Sequence, residues 1–187
     1  MLISGNKNKG LAQSIYTLYP TATFCSRDTG YELTDTADME RFAKLSTQHE
    51  VIIVNSALWR FHQSVLLDLV YKACVSAQHK AHIVVIGSTT DRVCNGKAWL
   101  YNAEKKALRD YSNTLAIGGV WGDHAPKVSY ISFGTLSNNQ HKHPDRKCLD
   151  IDAAACYIKW IIDQPRHLNI NEISIDPMQD NNWYLEN

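Results

Sequence analysis

The sequence predicts a doubly wound α/β fold, one parallel sheet with helices on both faces, and three observations carry that prediction. Short apolar runs alternate with longer segments of helical period. The first apolar run leaves into a loop bounded by Gly5 and Gly10, SGNKNKGLA, which then enters an amphipathic stretch. No internal repeat, low-complexity segment or linker divides the 187 residues, a length that suits one domain with a substantial core.

In chain order, Leu2–Ser4 reads as the first strand, and a helix follows at about 10–19. Thr21–Cys25 is a second strand, and Tyr31–Leu33 a brief third before a helix at 36–48. The runs Val51–Asn55, Ile83–Gly87, Val128–Phe133 and Glu172–Ile175 complete about seven strands. Helices are expected between them at 64–78, 98–117 and 151–164. Ligand is expected at the carboxyl ends of the strands. The stretch VLLDLVYKACV (65–75) is apolar almost all the way round, so it needs cover beyond its sheet-facing side. Burial within the monomer and a subunit interface both answer that need. Asp91, Arg109 and Asp110 read as surface charges.

Composition removes several function classes. Hydrophobic residues make up 44% and charged residues 20%, an ordinary globular balance. Net charge is zero with both signs interspersed, which gives no electrostatic footprint for nucleic acid. Cys25, Cys74, Cys94, Cys148 and Cys156 are odd in number and scattered, the usage of a reducing compartment. The N-terminus turns polar after three residues, and no apolar run is long enough to span a bilayer. A soluble, cytoplasmic protein is expected. His141 and His143, in NNQHKHPDRK, read as a solvated loop, and no metal is expected, because no Cys or acid has ligand spacing to them.

The chemistry-bearing residues lie in the middle of the chain. HIVVIGST ends a strand at Ser88, and Tyr101 and Lys105 follow in YNAEK. Spacing of i and i+4 puts the phenol and the ammonium on one helix face, able to act on one small volume. Ser88 would polarise a carbonyl that Tyr101 protonates. A Tyr-x-x-x-Lys pair is weak alone and gains weight from its neighbours. After the first strand, Gly5 allows a tight turn, and the following helix N-terminus faces an anion, with Lys7 and Lys9 adding positive charge. The second strand ends in FCSRD. Arg27, with Ser26 beside it, suits a ribose 2′-phosphate and so NADP(H) in preference to NAD(H), although Asp28 is a competing partner for Arg27. Asn55, Ser56 and Ala57 after VIIV let a flat ring approach the backbone.

Together these segments resemble the short-chain dehydrogenase/reductase family. SGNKNKGLA is similar to its TGxxxGxG turn, NSAL to its NNAG, GST to its catalytic-serine strand end and YNAEK to its YxxxK. The tail LDIDAAACYIKWIIDQPRHLNINEISIDPMQ resembles that of its NADP-dependent 3-hydroxy acid dehydrogenases. The resemblance spans nearly the whole chain. It implies a Rossmann-type sheet and an NADP(H)-dependent reductase or dehydrogenase of a small carbonyl or alcohol. Ser88, Tyr101 and Lys105 would be catalytic, and Lys105 would also bind the cofactor ribose and lower the Tyr101 pKa. Cofactor contacts are expected from Gly5, Asn6, Lys7, Asn8, Gly10 and Leu11, from Ser26, Arg27 and Leu33, from Asn55, Ser56 and Ala57, and from Tyr101, Lys105 and Gly134. A homodimer or homotetramer paired through the helices at 64–78 and 98–117 is implied as well.

There are departures. Ala12 replaces the last glycine of the turn, Leu58 the glycine of NNAG, and Phe133-Gly134 the Pro-Gly. Only five residues, Ser26–Gly30 with Asp28-Thr29-Gly30 last, separate the second and third predicted strands, and the loop from Thr135 to Lys147 is short for a substrate lid. Phe61-His62-Gln63-Ser64 covers the place of the family's catalytic asparagine, so Gln63 or His62 would have to serve a proton relay. These changes also fit a second class of protein, a dinucleotide-binding regulator or scaffold without turnover. A weaker third option is an enoyl or pteridine reductase.

Overall fold

The computed structural model describes residues 1–93, 98–121 and 125–179. The chain runs β1 (Leu2–Ser4), α1 (Gly10–Leu18), β2 (Thr23–Cys25), α2 (Thr36–Ser46), β3 (Val51–Val54) and α3 (His62–Ser76). It continues through β4 (His82–Ile86), α4 (Leu100–Trp121), β5 (Lys127–Phe133), α5 (Ile151–Ile162) and β6 (Glu172–Ile175). Short 3-10 turns occupy Arg27–Thr29, Thr89–Arg92 and Ser137–Lys142. All six strands are parallel, in the order β2-β1-β3-β4-β5-β6. This is the Rossmann-type doubly wound sheet expected.

Strand residues alternate between two cores, as the pleat requires. Leu2, Ile52, Ile83 and Val128 stand in one register row and pack with Phe42, Leu66, Val70 and Leu108 of α2, α3 and α4. Ile3, Ile53, Val84 and Ile131 face the other way, onto Leu11 and Ile15 of α1 and Ala154, Ile158 and Ile161 of α5. α2 and α5 start where aspartate caps them: Asp35 and Asp150 each accept two backbone N–H groups of the first turn.

The strand expected at Tyr31–Leu33 does not form, which leaves six strands and β2 at the sheet edge. Gly30 before it is left-handed at φ 78°, Tyr31 N–H bonds back to the Ser26 carbonyl, and Glu32 N–H goes to the Asp38 carboxylate at 2.6 Å. With the Tyr31 and Glu32 donors taken locally, the segment cannot offer a ladder its full set of N–H groups. Leu33 turns inward and is 3% exposed. In α3, Leu66, Leu67, Val70 and Cys74 are fully covered within the monomer, while Val65 and Val75 stay exposed. Among the described residues no helix is long and apolar enough to cross a membrane. Cys25, Cys74, Cys148 and Cys156 are free thiols; Cys94 lies outside the described residues.

Candidate active site

The sheet order reverses between β1 and β3, so the loops leaving those strands flank a crevice. Ser4, fully buried at the end of β1, accepts the N–H groups of Asn55 (2.9 Å) and Ser56 (3.1 Å) and so ties the two exits together. Gly5 takes φ 153°, and a Cβ there would sit 2.8 Å from Asn55 Nδ2 and 3.2 Å from the Ala12 Cβ. Only glycine fits this turn, and Ala12 supplies the small residue at the helix where the family has glycine. Gly10, at φ 52°, starts α1 with Asn138 of the Ser137–Lys142 turn lying against it. Asn6 donates to Asp28 at 2.5 Å, Asn8 N–H to Asn6 Oδ1, and Lys7 lies 5.3 Å from the Tyr16 ring centre. Leu11 is buried under this turn.

At the exit of β2, Arg27 pairs with Glu32 at 3.7 Å and is otherwise exposed, so Asp28 does not take it. Ser26 N–H donates to Thr29 Oγ1. Ala57 is exposed, and Gly134 follows β5 with its N–H on the Ile175 carbonyl. Leu33 packs into the core instead of lining the crevice.

Across from these loops, Ser88 leaves β4 in extended backbone, and its hydroxyl accepts the Thr90 N–H. The Ser88 hydroxyl stands beside that of Tyr101 and draws its pKa down, and Lys105 Nζ lies 5.3 Å from the Tyr101 ring centre. The three side chains therefore meet. Lys105 is 4% exposed and donates to Gln63 Oε1 at 2.5 Å. Gln63 in turn donates to the terminal carbonyls of β3 and β4, Val54 at 3.2 Å and Ile86 at 2.8 Å. His62 Nδ1 is buried without a partner.

Burial brings the Lys105 pKa down to about 8, against the pull of Glu104 and Asp91. Burial raises that of Tyr101; the Ser88 hydroxyl opposes the rise and Glu104 adds to it. This is the reverse of the lowering expected from Lys105. Its ammonium lies over the ring and bonds Gln63, while a buried carboxylate stands next to it in sequence.

Several contributors had no clear signal in the sequence. Trp59 and Trp99 tilt against the Tyr101 ring, with centroids 5.2 and 5.6 Å away, and form an exposed aromatic rim. Glu104 is 4% exposed and accepts the Arg60 N–H at 2.7 Å. That bond pins Arg60 and Phe61, both left-handed, at a cost of about 1–2 kcal/mol each. Behind Ser88, the fully buried Tyr130 hydroxyl lies against the Ser88 backbone and donates to Asp91 at 2.8 Å. Asp91 is 2% exposed, not a surface charge, and Arg92 pairs with it at 2.8 Å. Arg92 also reaches Ser132 and Glu172, and Glu172 accepts from Arg109 (2.8 Å) and Asn113 (2.7 Å) of α4. Arg109 therefore belongs to a network that registers the Ser88 turn against the Tyr101 helix; Asp110 remains exposed. Asn102 adds a second tie, donating to the carbonyls of Thr90 and Val93. Among the described residues no three His, Cys, Asp or Glu side chains are grouped to hold a metal ion. His141 lies in the exposed Ser137–Lys142 turn.

No family model matches the sequence, and no curated protein matches it. Solved structures match the fold. Serine dehydrogenase from Escherichia coli is 15% identical with a TM-score of 0.71, over 93% of this chain and 95% of that one. The closed form of serine dehydrogenase complexed with NADP+ is 14% identical with a TM-score of 0.71, over 94% of each chain. A short chain dehydrogenase from Burkholderia cenocepacia, in complex with NADP, is 14% identical with a TM-score of 0.71, over 92% of this chain and 86% of that one. The chain has the fold of the short-chain dehydrogenase/reductase structures.

Proposed function

We propose that this chain is an NADP(H)-dependent oxidoreductase that reduces a small carbonyl compound, or oxidises the corresponding alcohol. The observation that carries the reading is the meeting of the Ser88 and Tyr101 hydroxyls with a buried Lys105 beside a glycine-turned crevice. The crevice suits a dinucleotide: a Cβ on Gly5 would fill the turn, and the α1 N-terminus carries no acidic residue in its first turn. The NADP+ and NADP named with two of the structural neighbours support the same cofactor here.

Gly5, Asn6, Lys7, Asn8, Gly10 and Leu11 would hold the pyrophosphate side, Ser26 and Arg27 the 2′-phosphate, and Asn55, Ser56, Ala57 and Gly134 the remainder. When bound, the nicotinamide supplies or accepts the hydride. Ser88 donates a hydrogen bond to the substrate oxygen, and Tyr101 transfers the proton. The Tyr101 phenol is protonated near neutral pH, the form that donates in the reductive direction, and its raised pKa makes it a weaker acid than a free tyrosine. Lys105 binds the ribose hydroxyls, and its amine is anchored by Gln63, where the family has its asparagine relay. The exposed Val65 and Val75 of α3 and Ile117 and Val120 of α4 fit pairing of two copies, and a soluble cytoplasmic oligomer is part of this reading.

The test is nicotinamide absorbance with a broad panel of aldehydes and ketones. Wild-type protein turns over NADPH with at least one of them; Tyr101→Phe does not, yet binds NADPH as tightly. Equal rates for both proteins remove Tyr101 from the mechanism. Tight NADPH binding with no turnover on any carbonyl supports instead a dinucleotide-binding regulator or scaffold.

A further inference from the structure

At the other end of the sheet, the amino-terminal ends of β3, β4 and β5 and the segment after α5 line an open cavity of about 420 Å³. His82 and Lys127 open β4 and β5 as register partners, Lys80 precedes β4, and Arg166 reaches across to donate to the Lys80 carbonyl. Glu50 is the one acid among the described residues that line it. Lys127 is 8% exposed, and its Nζ is buried without a hydrogen-bond partner. A buried ammonium with no counter-charge is costly, and apolar residues would close this sheet end at lower free energy. His82, 6% exposed and bonded to Ser129 Oγ at 2.9 Å, is held neutral at about 3 by burial and then by Lys127 and Arg166. Burial and Arg166 lower the Lys127 pKa as well. Lys80, Lys127 and Arg166 against Glu50 leave two positive charges in excess around one cavity.

We propose that this cavity binds a phosphoryl dianion, seated between Lys127, Arg166 and Lys80, as free phosphate or as the head of a small phosphomonoester. A phosphoryl group carries a charge of roughly −1.5 to −2 near neutral pH, which matches the excess, whereas one carboxylate leaves half of it unanswered. The Arg166 guanidinium offers paired donors to phosphate oxygens, and the two ammonium groups act as point charges. The volume admits the phosphoryl group with a few carbon atoms attached. Because it opens at the amino ends of the strands, this ligand is separate from anything held in the β1–β3 crevice.

Amide and histidine NMR shifts of the full chain test it, with inorganic phosphate and glycerol phosphate as probes and sodium chloride at matched ionic strength as control. Saturable shifts are expected at Ala81, His82 and Lys127. Lys127→Met and Arg166→Gln should each weaken the Kd at least tenfold, while Arg27→Met, at the opposite end, leaves it unchanged. A lower Kd for glycerol phosphate identifies a phosphomonoester, and equal values identify free phosphate. Shifts that never saturate, that sodium chloride reproduces, or that persist with the same Kd in both Lys127→Met and Arg166→Gln overturn the proposal.

Discussion

Replacing Gln63 by methionine removes one side chain that three elements share while keeping close to the same length and volume. The amide donates to Val54 at 3.2 Å and Ile86 at 2.8 Å and accepts from Lys105 at 2.5 Å, all with Gln63 2% exposed. Each neutral bond contributes about 1 kcal/mol net, and the bond to a charged group about 1.5–3 kcal/mol. The longer contact to Val54 belongs at the weak end of its range. Gln63→Met is therefore expected to cost about 4 kcal/mol near pH 7, read from urea unfolding at unchanged m-value. Above the Lys105 pKa of about 8 the folded lysine is neutral and the charged part of the loss disappears, so the cost falls to about 2 kcal/mol near pH 10. A cost below about 1 kcal/mol, or one that is the same at both pH values, would refute the anchoring argument.

Lys105 itself gives a second pH signature. Its folded pKa is depressed to about 8, so between there and the unfolded value of about 10.4 the unfolded chain holds the proton that the folded chain has lost. Stability therefore climbs with pH across that window, by at most about 3 kcal/mol, and Lys105→Met should flatten the climb in denaturant titrations taken along a pH series. Tyr130→Phe leaves the buried Asp91 one partner short behind Ser88; it is expected to cost about 2 kcal/mol and to lower kcat with NADPH affinity intact, by equilibrium unfolding and steady-state kinetics. Arg27→Met should weaken NADPH binding about tenfold or more and leave NADH unaffected in fluorescence titrations, since only the former carries the extra phosphate.

What the sequence revealed was local. Strand runs such as VIIV and HIVVI and the i, i+4 spacing of Tyr101 and Lys105 depend on neighbours within a few residues, and each of these segments takes the expected form. The boundaries moved where a side chain from elsewhere intervened: β3 stops at Val54 because Asn55 N–H is taken by Ser4. Asp91 looked like a surface charge because Tyr130, which bonds it, and Glu172 and Arg109, which hold its neighbour Arg92 in place, lie on strands and a helix far along the sequence. The same holds for Gly87, which has no unusual φ and is required only because Tyr130 OH would lie 1.9 Å from any Cβ there. Trp59 becomes a neighbour of Tyr101 only once the start of α3 stands beside α4, whereas Trp99 is two residues from Tyr101 in the chain.

The lost strand also has a direction. Its absence leaves β2 as an edge, on the side of β1 away from β3, β4 and α4. Ser88, Tyr101 and Lys105 hang from that second group and Gln63 from α3 beside it; Gln63 is tied to β3 and β4, and the Asp91 and Arg109 contacts beside them run to β5 and β6, none crossing to β2. Shortening therefore falls on the Arg27 end of the crevice, where Leu33 has withdrawn into the core and Glu32 now neighbours Arg27. An exposed pair at 3.7 Å contributes little and yields readily to a better partner. The chain can therefore lack an edge strand beyond β2 and still bring Ser88, Tyr101 and Lys105 together, because the contacts that order them lie on the other half of the sheet.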